Sequence, residues 1–196
     1  MNLPNKLTIA RLIMAPLFFV IFHLPMWTGQ SSLTGISIVF VLILYVCIEL
    51  TDLLDGIIAR KRNMVTDLGK VMDPFADTFS RLTYFVCLMT VSIMSDWAFM
   101  IILWRELGML FVRMLMMRQQ KAVPANIFGK IKAVLYAISA LFGIVLYAFA
   151  FFAGSSSILS LIANILFTLA ALASVISFII YLKRIISGKV LNSFTR

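Results

Sequence analysis

Long apolar runs alternate with short polar breaks along nearly the whole chain. Six runs, approximately Leu7–Leu24, Leu33–Arg60, Val71–Met94, Trp97–Met117, Ile131–Phe152 and Ile158–Leu182, come close to the length that crosses about 30 Å of hydrocarbon. Turn-forming residues collect in the breaks from Pro25 to Ser32, at Ser95–Asp96 and from Gly154 to Ser157. The pattern predicts an all-α integral membrane protein with six transmembrane helices and a short N-terminal interfacial segment. No internal repeat, low-complexity tract or soluble module interrupts it, so residues 1–196 read as a single membrane domain.

Composition strengthens that picture. Hydrophobic residues make up 62% of 196 positions, mean hydropathy is +1.05, and 13% of residues are charged. A soluble domain would carry about twice that charge. Arg11 interrupts the first run, so no cleavable signal peptide is expected. Cys47 and Cys87 lie in apolar runs without a CxxC spacing and read as packing residues. His23 and Trp27 read as residues of the outer interface, and Gly108 and Gly143 as points of close helix approach, as at a dimer contact.

Charge then orients the chain. The breaks after the first, third and fifth runs contain no Lys or Arg. Those after the second, fourth and sixth hold Lys61, Arg62, Lys70, Arg118, Lys121, Lys130, Arg184 and Lys189. This asymmetry predicts cytoplasmic termini and even-numbered breaks in a cell's inner (cytoplasmic) membrane. The net charge of +9 then faces anionic headgroups on one side. A nucleic-acid role is excluded by the lack of a soluble module to carry it.

Against this apolar background four carboxylates stand out: Asp52-Leu-Leu-Asp55-Gly56-Ile-Ile-Ala59-Arg60, then Gly69, Asp73 and Asp77. Each charged group in lipid-facing sequence costs roughly 2.5–3.5 kcal/mol on insertion scales, so a cluster needs a reason. The second run would extend about 42 Å as a helix, longer than the hydrocarbon, which places its last turns at the cytoplasmic interface. Asp52 and Asp55 share a face there, and Gly56 and Ala59 continue it as a groove where a ligand can approach the backbone. Arg60 adds a cation suited to phosphate. Asp73-Pro74 reads as the start of the next helix, Asp73 as N-cap and Pro74 at its first position. Asp77 follows one turn inward and Arg81 one turn further. A single Asp at a helix end is most often a cap, but the whole spacing makes coincidence implausible. Oxygen ligands without His or Cys point to Mg²⁺ or Mn²⁺, as a pair able to clamp a diphosphate. Arg105, Arg113, Lys130 and Lys132 form a second basic group, suited to another phosphate opposite the acids, with a salt bridge from Arg105 to Glu106 or to an acid on a neighbouring helix as the equal alternative for that residue.

The string DxxDGxxAR, eight residues, GxxxDxxxD resembles at every fixed position the signature of the CDP-alcohol phosphotransferase family. The resemblance implies a six-helix membrane enzyme, usually a homodimer, that joins a CDP-linked substrate to an alcohol at a divalent-metal pair facing the cytoplasm and releases CMP. Carried over, Asp52, Asp55 and Asp73 would be metal ligands and Asp77 both ligand and general base. Gly56, Ala59, Arg60 and Gly69 would line the cytidine diphosphate site. The opening Asn2 to Arg11 stretch, Lys61 to Asp77, Arg105-Glu106, Arg113 and Gly129-Lys130-Ile-Lys132 are similar to the branch that transfers a phosphatidyl group from CDP-diacylglycerol to glycerol 3-phosphate. Two positions depart from that branch. Thr78 stands where it usually has Lys, and Glu49 where an apolar or small residue is usual. Glu49 either pairs with Arg81 or marks an enzyme that uses CDP-choline or CDP-ethanolamine with diacylglycerol. A cation transporter or a non-catalytic lipid-binding protein fits less well, because the acids gather at one interface and no repeated halves are visible.

Overall fold

The computed structural model describes residues 2–61, 66–118 and 127–187, and every regular element among them is an α-helix. The apolar runs fall in six helices, the third run outlasting its helix by four residues: α1 (Leu3–Thr28), α2 (Ser32–Lys61), α3 (Asp67–Thr90), α4 (Asp96–Arg118), α5 (Ile127–Ala153) and α6 (Ser157–Ser187). Four of these, α1, α2, α5 and α6, are long and apolar enough to cross a membrane. Helices α3 and α4 are the less apolar pair because they carry the site's charges. Arg62, Lys121 and Lys189, expected to orient the chain, lie outside the described residues.

Two helix starts differ from expectation. The interfacial segment is not set apart, since Leu3 to Lys6 already form the first turn of α1. Asp73 is not an N-cap. Helix α3 begins earlier, at Asp67, capped by Thr66, whose hydroxyl accepts the Gly69 N–H at 3.0 Å. That bond satisfies one of the orphan donors of the first turn, which moves the boundary upstream and leaves Pro74 inside the helix. Asp73 is thereby released from capping.

Helix α3 packs against α1, α4 and α5, while α1 also lies on α2, α2 on α5, and α6 on α4 and α5. The core they share is built from Phe18, Phe22, Tyr45, Ile48, Tyr84, Phe85, Leu88, Ile102, Tyr136 and Phe167. Lipid is as apolar as such a core, so close packing and interhelical hydrogen bonds supply the association. A Cβ on Gly143 would come 2.6 Å from Leu88 Cδ1 and 3.2 Å from Phe167 Cζ, and one on Gly108 3.1 Å from Phe178. Both glycines therefore admit close approach between helices of one chain. Pro25 cannot donate to the Ile21 carbonyl four residues earlier, and Ser37 of α2 donates to that carbonyl at 2.6 Å instead. Trp27 is exposed, as expected at an interface, but His23 turns inward. Its ring nitrogens meet the Phe19 carbonyl at 3.0 Å and Thr90 Oγ1 at 3.1 Å.

Candidate active site

Three helix segments meet at one end of the bundle: the start of α1, the end of α2 and the start of α3. Their antiparallel arrangement follows from the short connections. It gathers the polar residues of all three at a single mouth, away from the aromatic core. Asp52 and Asp55 come from α2, Asp73 and Asp77 from α3, and Thr8 and Arg11 from α1.

At the centre lies Arg11, whose side chain is 1% exposed. Its guanidinium pairs with Asp52 and Asp55, and it reaches Asp77 Oδ1 at 2.6 Å. Thr8 Oγ1 donates to Asp73 Oδ1 at 2.6 Å, and its single proton leaves the 3.5 Å approach to Asp55 as proximity only. Arg81 stands further off, 3.8 Å from Asp52 and 3.7 Å from Asp77. The four predicted acids are thus brought together. Neither Arg11 nor Thr8 was singled out for the site, although an arginine inside an apolar run, with Asn5 and Thr8 at three-residue intervals before it, is the signal that could have found them.

Exposure differs among the acids in a useful way. Asp55 is nearly closed off at 4%, whereas the side chains of Asp52 and Asp77 are 33% and 29% exposed and face the mouth. A narrow cavity beside them is lined by Arg11, Ile48, Glu49, Asp52, Asp77, Ser80 and Arg81. Glu49 thereby shares its surroundings with Arg81.

The donor set suits a hard divalent cation, being carboxylate oxygen throughout and already converging on one positive group. Among the described residues no three acidic, His or Cys side chains form a ready metal cage. Arg11 stands between the carboxylates that would make one.

Of the predicted cytidine diphosphate residues, the side chains of Ala59 and Arg60 lie outside the described residues. Gly56 continues α2 directly after Asp55. Gly69 is buried where α3 meets α1: a Cβ there would come 3.1 Å from both Asn5 Oδ1 and Thr66 Oγ1. Its smallness serves this crossing, locked by Asn5 donating to Thr66 at 3.2 Å.

The predicted second phosphate site divides. Glu106, the alternative partner for Arg105, is 5% exposed and draws two of the four cations to itself. Arg105 reaches it at 2.9 Å and Lys132 at 2.6 Å, both on Oε1, while Thr78 approaches Oε2 at 3.4 Å. Arg105 also donates to the Ser174 carbonyl and to Ser177 Oγ, tying α4 to α6. Arg105 is therefore committed to protein partners, which is the salt-bridge alternative and not a free phosphate donor. Lys132 has the same pairing and sits 4.5 Å over the Tyr136 ring. Lys130 is exposed, because two residues along a helix turn it roughly 200° away from Lys132. Arg113 is half-buried and has no ion-pair partner within 4 Å among the described residues. The Glu106 cluster adjoins the acid mouth through Thr78, the residue after Asp77.

A family model described as CDP-alcohol phosphatidyltransferase matches residues 1–176. The CDP-diacylglycerol–glycerol-3-phosphate 3-phosphatidyltransferase of Treponema pallidum is 34% identical over 152 residues, 76% of this chain and 70% of that protein. The protein of the same description from Bacillus subtilis is 35% identical over 146 residues, 71% of this chain and 76% of its own. A probable phosphatidylglycerophosphate synthase of Mycobacterium tuberculosis is 32% identical over 139 residues, 70% of this chain and 63% of its own.

Proposed function

This chain belongs to the CDP-alcohol phosphatidyltransferase family, and from that premise we propose that it moves a phosphatidyl group from CDP-diacylglycerol to glycerol 3-phosphate and releases CMP. The observation that carries the reading is the convergence of Asp52, Asp55, Asp73 and Asp77 at one mouth, in a chain similar to transferases of that name.

The acceptor's 1-hydroxyl attacks the β-phosphorus, its bond to the bridging oxygen breaks, and CMP departs. Asp77 is the base that takes the hydroxyl proton. It is the acid of α3 with both partial exposure and a position next to the Glu106 cluster. Mg²⁺ or Mn²⁺, as a pair held by Asp52, Asp55, Asp73 and Asp77, would neutralise the diphosphate and stabilise the leaving oxygen. Gly56, Ala59 and Arg60 line the CDP side, with Gly69 fixing the α1–α3 crossing behind it. Arg113 is the leading donor to the acceptor phosphate, and Lys132 would reach it only from its pairing with Glu106. Lys130 attracts the anion from the rim, and Arg105 holds α4 against α6.

The enzyme works as a six-span homodimer in the cytoplasmic membrane, with both termini and the mouth facing the cytoplasm. The lysines and arginines of the even-numbered breaks support this orientation.

The test is CMP release by purified protein with Mg²⁺ and CDP-diacylglycerol, with and without glycerol 3-phosphate. Acceptor-dependent release is expected. Release only from CDP-choline or CDP-ethanolamine with diacylglycerol would replace this reading and make Glu49 the first residue to mutate.

A further inference from the structure

Four acids at one mouth must be neutralised whether or not a metal is bound, and the fold already supplies a cation. Arg11 is fully buried, extends from α1 between α2 and α3, and pairs with three of the four: Asp52, Asp55 and Asp77. Asp73, the fourth, takes the Thr8 hydroxyl instead. The second arginine, Arg81, pairs more loosely at the edge of the cluster, 3.8 Å from Asp52 and 3.7 Å from Asp77. Arg11 Nε has no hydrogen-bond partner among the described residues, so within them the guanidinium is held by the carboxylates and not by a donor-matched pocket of its own. Four negative charges face two positive ones, an imbalance that exchanging a single charge for a divalent ion would reduce.

We propose that Arg11 is a built-in counter-cation of this site, which a divalent ion must displace, so that metal loading exchanges one cation for another at Asp52, Asp55 and Asp77. The inference rests on reading those acids as metal ligands. It goes beyond that reading by making α1 a competitor for them. Arg11 holds the three helices together before the ion arrives and sets how tightly the ion is bound. Charge-assisted contacts to three carboxylates must be given up on loading, and each is worth at least a severalfold change in an equilibrium.

The test uses the full chain in detergent micelles, stripped with EDTA, with Mn²⁺ as probe. Mn²⁺ binding is followed by loss of the free-ion paramagnetic resonance signal, and the unfolding midpoint is measured with and without the ion. Arg11→Met is expected to bind Mn²⁺ about tenfold or more tightly than the unmutated chain and to gain more stability from it. Equal or weaker binding in Arg11→Met would overturn the proposal. If that variant folds only with Mn²⁺ present, the expected dependence is seen in its extreme form. If it does not fold at all, Arg11→Lys decides: its single ammonium cannot bridge three acids, so tighter Mn²⁺ binding is expected and unchanged affinity refutes the exchange. The two readings fail differently. No Mn²⁺ binding by the unmutated chain removes the ligand assignment itself. Normal binding there with no effect of Arg11 substitution removes only the exchange.

Discussion

Replacing Glu106 with Gln tests the buried charge cluster most directly. The carboxylate is 5% exposed, carries Arg105 at 2.9 Å and Lys132 at 2.6 Å on one oxygen, and has Thr78 3.4 Å from the other. The substitution keeps shape and removes charge, leaving two buried cations without their counter-ion. Breaking a buried pair in this way costs about 3–5 kcal/mol. Arg105 retains the Ser174 carbonyl and Ser177 hydroxyl, and Lys132 retains the Tyr136 ring, so the lower end, about 3 kcal/mol, is expected. The Thr78 contact is at the limit of hydrogen-bond length, so Thr78→Val should cost under about 1 kcal/mol. The assay is reversible denaturation of the purified chain in mixed micelles, for both variants and for the Glu106→Gln/Lys132→Met double variant. Because Lys132→Met removes one orphaned charge, the double variant should be more stable than the sum of its parts by about 1–3 kcal/mol. A Glu106→Gln cost below about 1 kcal/mol, or strict additivity in the double variant, would refute the account of Glu106 as the anion that holds α4, α5 and α3 together.

Three further outcomes are expected. Asp77→Asn should abolish acceptor-dependent CMP release while the chain stays folded, and near-normal turnover would remove Asp77 as the base. Arg113→Ala should raise the KM for glycerol 3-phosphate by about tenfold, roughly one charge-assisted contact, with a smaller effect on CDP-diacylglycerol; equal changes for both substrates would count against an acceptor-phosphate role. Gly143→Ala should lower stability by about 1–3 kcal/mol, since its Cβ would press on Leu88 and Phe167, both fully buried; an unchanged unfolding midpoint would show that α3 and α6 yield at that point.

Reading the residues in order located most of the architecture. The number and extent of the helices follow from run lengths, because a segment that long and apolar has no other way to satisfy its backbone in lipid. The acid cluster was legible because each carboxylate is costly in such a sequence and four at one-turn spacings share a cause. The α3 start was not legible. Asp-Pro resembles a helix beginning, but Thr66 competes for the same role from outside the pattern, and only its hydrogen bond to Gly69 decides between them. Arg11 and Thr8 were visible as residues but not as site members, because their acidic partners lie 41 to 66 positions away in the chain, and the pairing of Glu106 with Lys132 spans 26.

By itself, then, the sequence determined that this chain is helical, rich in membrane-span-like segments and armed with four carboxylates that gather at one end of the bundle. These properties depend on local hydropathy and on i to i+4 geometry, which a linear string carries in full. Tertiary structure alone decided what those charges face. It set Arg11 among three acids, gave Arg105 and Lys132 to Glu106, and left Arg113 without a close partner among the described residues. Ion pairing depends on distances between helices, and packing sets those distances.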